Sequence, residues 1–296
     1  MLAPGIYPAS VTPFDSSGRL DAESLARLLA GFEAAGCEGV VLAGTNGEGP
    51  NLSAPEKRDL VALAKPLAGS MALILGIATP SLSEAVWLAK QAAKEGCVAV
   101  LVMPPAYWRN VGDEAIAAWF LALMDASPLP VIAYNHPAMT GLPVTRAIVQ
   151  AISGHERFAG IKDSSGFPEN LPMYREVVPE DKAILVGDET LLAEALRHGW
   201  TGSISGAANV LAPHLAQIVR DHLGGDHESV EERQALIQPL LEAIRSSPQP
   251  ATHKGVLHSW GRLASDCVRL PLNTEPTAAR RVLELIEATV GAIRRR

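Results

Sequence analysis

Eight short strand-like runs, at residues 6–11, 39–43, 72–77, 98–103, 130–134, 158–161, 183–186 and 203–205, constrain this chain more than any other feature. They recur at intervals of roughly 20–33 residues, room for one helix between each pair. Most are continuously apolar rather than alternating, which marks parallel strands covered on both faces. A chain of 296 residues suits one barrel with an appendage. With 48% apolar and 19% charged residues it has the material for a large core.

The intervening segments carry helix signals. Ser53-x-x-Glu56 and Ser81-x-x-Glu84 read as capping boxes. Asp21 and Asp188 are expected N-caps, and Pro143 and Pro168 suit first-turn positions. One unit occurs three times: a helix ends at Gly36, Gly96 or Gly199, and a buried strand follows within three residues. Glycine there supplies the left-handed turn that ends a helix. Such repeats fit a doubly wound sheet or a barrel, and eight strand–helix units in one chain favour the barrel. After Leu223-Gly224-Gly225-Asp226 the strands stop, and residues 228–245, 253–263 and 275–293 read as helices. The expected fold is therefore α/β, a (β/α)8 TIM barrel over residues 1–223 with a small C-terminal helical appendage over 224–296.

Charge and cysteine content narrow the partners. The net charge is −7, and apart from the terminal Arg294-Arg295-Arg296 no basic block appears, so no nucleic acid is expected. No apolar run is long enough to span a membrane, and residues 1–10 lack a signal-peptide pattern. Cys37, Cys97 and Cys267 are odd in number and lack metal-ligand spacing, which suggests reduced thiols in a cytoplasmic protein; no metal site and no cofactor are expected.

Lys162 is the main chemical clue, because it ends the sixth apolar run. The C-terminal ends of barrel strands form the catalytic face. Burial disfavours an ammonium and frees the amine to attack a ketone. The competing reading is a lysine that reaches solvent or pairs with Asp163. Tyr134 ends the fifth run and offers a phenol for proton transfer, although a lone tyrosine there is more often a core residue with its hydroxyl at the rim. The loop Gly44-Thr45-Asn46-Gly47-Glu48-Gly49 follows the second strand and can hold a carboxylate on free amides and the Thr45 and Asn46 side chains; an ordinary βα turn is the alternative. Tyr107 follows the fourth strand, His136 the fifth, and Asp188 with Glu189 the seventh. Taken singly, these read as an exposed aromatic, a solvated histidine and a helix cap. Thr45, Tyr107, Tyr134 and Lys162 nevertheless all fall at one end of the expected barrel.

At these residues the chain resembles the dihydrodipicolinate synthase/N-acetylneuraminate lyase family of class I aldolases. The motifs are Val11-Thr12-Pro13-Phe14, Gly44-Thr45-Asn46-Gly47-Glu48, Tyr134-Asn135-His136-Pro137, Gly160-Ile161-Lys162-Asp163-Ser164-Ser165 and Gly202-Ser203-Ile204-Ser205-Gly206. The resemblance implies that Lys162 forms an imine with a 2-oxo acid such as pyruvate and that Tyr134 moves protons. It implies that Thr45 links Tyr134 to Tyr107 from a neighbouring subunit of a homotetramer. It also implies that Thr45 and Asn46 hold the pyruvate carboxylate, with Ile204 close by through its backbone. His136, Asp188 and Glu189 are expected to meet the rest of the substrate. Authentic dihydrodipicolinate synthases have an Arg where this chain has Met139; Asn46 looks more like 4-hydroxy-2-oxoglutarate aldolases, and Ala106 replaces a family tyrosine. The expected reaction is cleavage or formation of a 4-hydroxy-2-oxo acid. The alternatives are dehydration of a 2-oxo-3-deoxy sugar acid, dihydrodipicolinate synthesis, and a non-catalytic 2-oxo acid sensor, which would bind without turnover.

Overall fold

The computed structural model describes residues 2–293, so the Arg294-Arg295-Arg296 end lies outside the described residues. Eight strands form: β1 (Gly5–Pro8), β2 (Gly39–Leu42), β3 (Ala72–Ile77), β4 (Ala99–Val102), β5 (Val131–Asn135), β6 (Phe158–Asp163), β7 (Ala183–Val186) and β8 (Gly202–Ser205). Each pairs in parallel with its neighbour in the order β1-β8-β7-β6-β5-β4-β3-β2. Between β1 and β2 the ring is joined by a parallel bridge from Ala9 to Val41 and by the hydrogen bond from Ser10 N to Val41 O, 3.0 Å. All eight expected strands are present, with ends shifted by up to three residues.

Alternation along each strand separates two apolar layers. Tyr7, Val41, Ile74, Leu101, Ile132, Leu185 and Ile204 fill the barrel, whereas Val40, Val100, Val131, Ile161 and Ile184 face the helices. That outer ring is α1 (Ala22–Ala34), α2 (Ala54–Ala64), α3 (Leu82–Lys94), α4 (Asp113–Ala126), the single turn α5 (Pro137–Thr140), α6 (Arg146–Ile152), α7 (Asn170–Val177), α8 (Leu192–Arg197) and α9 (Ala208–Leu223). Gly36, Gly96 and Gly199 have φ of 77°, 88° and 76°, the left-handed turn that the repeated unit implied.

The capping signals are met in part. Ser53 and Glu56 form a complete box, and Asp21 caps α1. Ser81 accepts from Glu84 N, but the Glu84 carboxylate takes the Thr79 hydroxyl at 2.5 Å instead of returning to the cap, so the second box is half formed. Pro143 and Pro168 lie ahead of α6 and α7, whose caps are Thr145 and Glu169. Their fixed φ shapes the approach to each helix rather than its first turn.

Helices α10 (His227–Arg245), α11 (Ala251–Ser259) and α12 (Pro276–Ile293) follow the barrel. α11 is sunk into the protein: His253 and Lys254 are 1% and 0% exposed. Lys254 Nζ reaches Glu48 Oε1 at 2.5 Å and Cys267 O at 2.8 Å, and lies 4.1 Å over the Phe14 ring. Arg269 binds Gly18 O, Asn51 O and Glu56 Oε1. The C-terminal segment is thereby fastened to the loops that follow β1 and β2. None of the described helices is long and apolar enough to cross a membrane.

Candidate active site

Register brings the central pair together. Tyr134 on β5 stands opposite Lys162 on β6, and the period of two turns both side chains into the barrel at the C-terminal ends of their strands. They are 4% and 5% exposed, and Lys162 Nζ lies 4.1 Å from the centroid of the Tyr134 ring. Gly187, just past β7, makes this possible. A Cβ there would come within 2.7 Å of Lys162 Cε and overlap Ser164 Oγ.

Lys162 does not pair with Asp163. The next residue along a strand points to the opposite face, and there Asp163 accepts from Asn135 Nδ2 (2.7 Å), Ser165 N (3.0 Å), Ser165 Oγ (2.8 Å) and Asn170 Nδ2 (3.2 Å). Burial pushes the Asp163 carboxyl up, against the pull of these donors. Asn135 Oδ1 in turn accepts from Val144 N at 2.8 Å. This outward Asn135–Asp163 link joins the ends of β5 and β6 and so fixes the spacing of the two inward groups. Lys162 makes no hydrogen bond or ion pair among the described residues, and Ser164 Oγ donates to the Tyr134 phenol oxygen at 3.4 Å.

The amine opens on a cavity of about 440 Å³. One wall is the loop after β2. Glu48 sits in the left-handed region at φ 53°, and its amide and that of Gly49 close internal turns onto Thr45 O and Gly44 O. Thr12 Oγ1 donates to Gly47 O at 2.6 Å. With the loop fixed in this way, Thr45 Oγ1 and Asn46 Oδ1 face the cavity buried and without a hydrogen-bond partner. Buried polar atoms are rarely left unpaired, so these two define a polar subsite within the cavity.

His136 lines the same space, its ring 5.7 Å from that of Tyr134 and its Nδ1 unpartnered. Burial, then the charges of Lys162 and Arg245, hold it down to about 4, so the imidazole is neutral at pH 7. Glu189 also lines the cavity, with Oε1 accepting from Ser205 Oγ (2.6 Å) and Ala207 N (3.1 Å). Ile204 is fully buried in the barrel interior beside Tyr7.

Two expected contributors lie elsewhere in this chain. Asp188 caps the short turn Glu189–Leu191 through Thr190 N and pairs with Arg245 Nη2 at 3.0 Å, so it meets the cavity only through that guanidinium. Tyr107 is 75% exposed and packs edge-on against Trp108 at 5.1 Å, on the outside of its own barrel. Thr45 accordingly makes no bond to either tyrosine. Conversely, the sequence reading overlooked the roof: Arg245, Ser247 and Gln249, at and beyond the end of α10, line the cavity. Contacts between residues so far apart in the sequence leave no local pattern, and only the fold reveals them.

The family model described as the dihydrodipicolinate synthetase family matches residues 3–288. An uncharacterized DapA-like lyase of Chloroflexus aurantiacus is 34% identical over 96% of this chain and 97% of its own length. A 4-hydroxy-tetrahydrodipicolinate synthase of Cereibacter sphaeroides is 34% identical over 93% and 95%. The crystal structure of a chloride-inhibited dihydrodipicolinate synthase from Acinetobacter baumannii complexed with pyruvate superposes with a TM-score of 0.91 at 25% identity, covering 98% of this chain and 99% of that one. By the span of the family match and the identity of its relatives, the chain belongs to the dihydrodipicolinate synthetase family of lyases.

Proposed function

We propose that the protein cleaves a 4-hydroxy-2-oxo acid to pyruvate and an aldehyde, or runs the reverse reaction, through an imine on Lys162. The observation that carries this reading is the buried, unpaired amine of Lys162 beside the Tyr134 phenol, facing a cavity with two unpartnered polar side chains. The pyruvate complex of the Acinetobacter baumannii enzyme supports pyruvate as the common product. The Lys162 amine, having given up its proton, attacks the C2 carbonyl, and loss of water leaves the imine. The 4-hydroxyl then gives up its proton, the C3–C4 bond breaks to release the aldehyde, and its electrons pass to the imine as an enamine. Protonation at C3 and hydrolysis return pyruvate and free amine. Tyr134 supplies and accepts these protons. Thr45 and Asn46 hold the carboxylate with neighbouring amides, with the Ile204 backbone nearby. His136 and Glu189 border the distal part of the substrate, and Asp188 acts through Arg245.

Tyr107 completes the site from a neighbouring copy in a homotetramer, which accounts for a phenol exposed on its own barrel and a Thr45 hydroxyl left unpaired. The three cysteines are free thiols, as expected of a cytoplasmic protein. Pyruvate release from a panel of 4-hydroxy-2-oxo acids tests the reading. Tyr134→Phe should lower kcat by about 10²–10⁴-fold. An intact-chain dioxo acid product would point to a dehydratase instead. Synthesis of 4-hydroxy-tetrahydrodipicolinate is the second reading, favoured by the names of several relatives. Met139 weighs against it: 61% exposed on the cavity lining, it puts a thioether where the resemblance calls for a carboxylate clamp. Condensation of pyruvate with aspartate semialdehyde, without pyruvate release from the hydroxy-oxo acids, would favour that reading.

A further inference from the structure

The mouth of the cavity is unequally built. On the α5 side Met139 offers no charge. Arg245 closes α10, and it is the one cation besides Lys162 among the lining residues. A cation in the last turn of a helix is favoured by the helix dipole, which by itself would leave the side chain in solvent. Here the side chain is 45% exposed and is held by Asp188, whose own side chain is 5% exposed. Asp188 is fixed in turn by Thr190, whose hydroxyl donates to Oδ1 at 2.6 Å. Nη2 is the guanidinium atom nearest Asp188, and the planar fork carries five N–H donors, none of which makes a hydrogen bond among the described residues. Of the neighbouring groups, His136 is neutral, and Glu189, bonded through Oε1 to Ser205 and Ala207, forms no ion pair with Arg245.

We infer that Arg245 selects the far end of the substrate, and that this end is anionic: the 4-hydroxy-2-oxo acid carries a second carboxylate, which binds the free edge of the guanidinium at the cavity mouth while the 2-oxo end meets Lys162. This inference rests on the reaction proposed above and deepens it. Asp188 is then a positioning residue that aims the fork. Ser247 and Gln249 flank the same rim.

The test compares two substrates that differ at one group, 4-hydroxy-2-oxoglutarate and 4-hydroxy-2-oxopentanoate, in which a methyl replaces the distal carboxylate. Pyruvate release gives kcat/KM for each. The wild-type enzyme should prefer the dicarboxylate, and Arg245→Ala should shrink that preference by about 10–100-fold, the range for one charge-assisted contact. Arg245→Gln, which keeps length and hydrogen bonding, should shrink it nearly as much, and Arg245→Lys should restore part of it. Should Arg245→Ala be unstable, the Gln and Lys variants carry the comparison. A preference ratio unchanged in the Ala and Gln variants overturns the assignment of Arg245. Borohydride trapping of pyruvate on the wild-type enzyme separates the two claims: trapping with an unchanged ratio defeats only the distal-end inference, whereas no trapping defeats the imine on which it stands.

Discussion

Replacing Glu48 with Ala should cost far more stability than a loop substitution ordinarily does. Glu48 and Lys254 form an ion pair in which both side chains are 0% exposed, and Glu48 Oε2 also accepts from Arg269 N at 2.9 Å. Burial draws the Lys254 ammonium down, and the Glu48 charge beside it opposes that shift. Glu48→Ala leaves a cation among Phe14, Cys267 O and apolar neighbours. Removing one partner of a buried pair typically costs about 3–5 kcal/mol, because the other charge is left uncompensated. Glu and Ala bear a similar left-handed backbone cost at φ 53°, so that cost largely cancels. With an unfolding entropy of about 2.1 cal/mol/K per residue, 296 residues give roughly 0.6 kcal/mol/K, and the midpoint should fall by about 5–8 °C. Thermal and urea unfolding of Glu48→Ala, Lys254→Met and the double variant Glu48→Ala/Lys254→Met measure this. The double variant should lose less than Glu48→Ala alone, since no charge is stranded. A loss below about 1 kcal/mol for Glu48→Ala, or strictly additive costs across the set, would refute the reasoning.

Further outcomes follow from the same geometry. Gly187→Ala places a methyl group against Lys162 Cε and Ser164 Oγ, and should slow turnover by about 10²-fold with little change in circular dichroism; wild-type rates would show that the amine does not need that space. His253 is held down to about 4 by burial against an ordinary 6.5. The unfolded chain therefore takes up a proton that the folded imidazole refuses. This contribution to stability is full above about pH 6.5 and is lost as pH falls through about 4. His253→Leu also removes two unpartnered ring nitrogens, and should flatten the acid limb of a plot of urea midpoint against pH; an unchanged limb would exclude His253 as a source of acid sensitivity.

The barrel was legible because its strands are buried on both faces, which writes continuous apolar runs into the sequence, and because Gly36, Gly96 and Gly199 mark the turns into β2, β4 and β8. Lys162 stood out for the same reason, as a charge at the end of such a run. The residues that sequence misplaced depend on long-range packing. Nothing local distinguishes His253 and Lys254 from surface positions of an amphipathic helix, yet α11 is buried along most of its length. Arg245 reads as an ordinary basic residue in a last helical turn until α10 is seen to end over the cavity. Asp188 was legible as a cap but not as the partner of Arg245. Proline fixes φ without specifying on which side of a helix start it falls, hence the displaced Pro143 and Pro168.

The most direct measurement is chemical. Incubation with pyruvate and borohydride, followed by peptide mapping, should place one reduced pyruvate adduct on the peptide containing Lys162, and Lys162→Ala should carry none. An adduct on another lysine, or equal labelling of the variant, would contradict the imine at the end of β6.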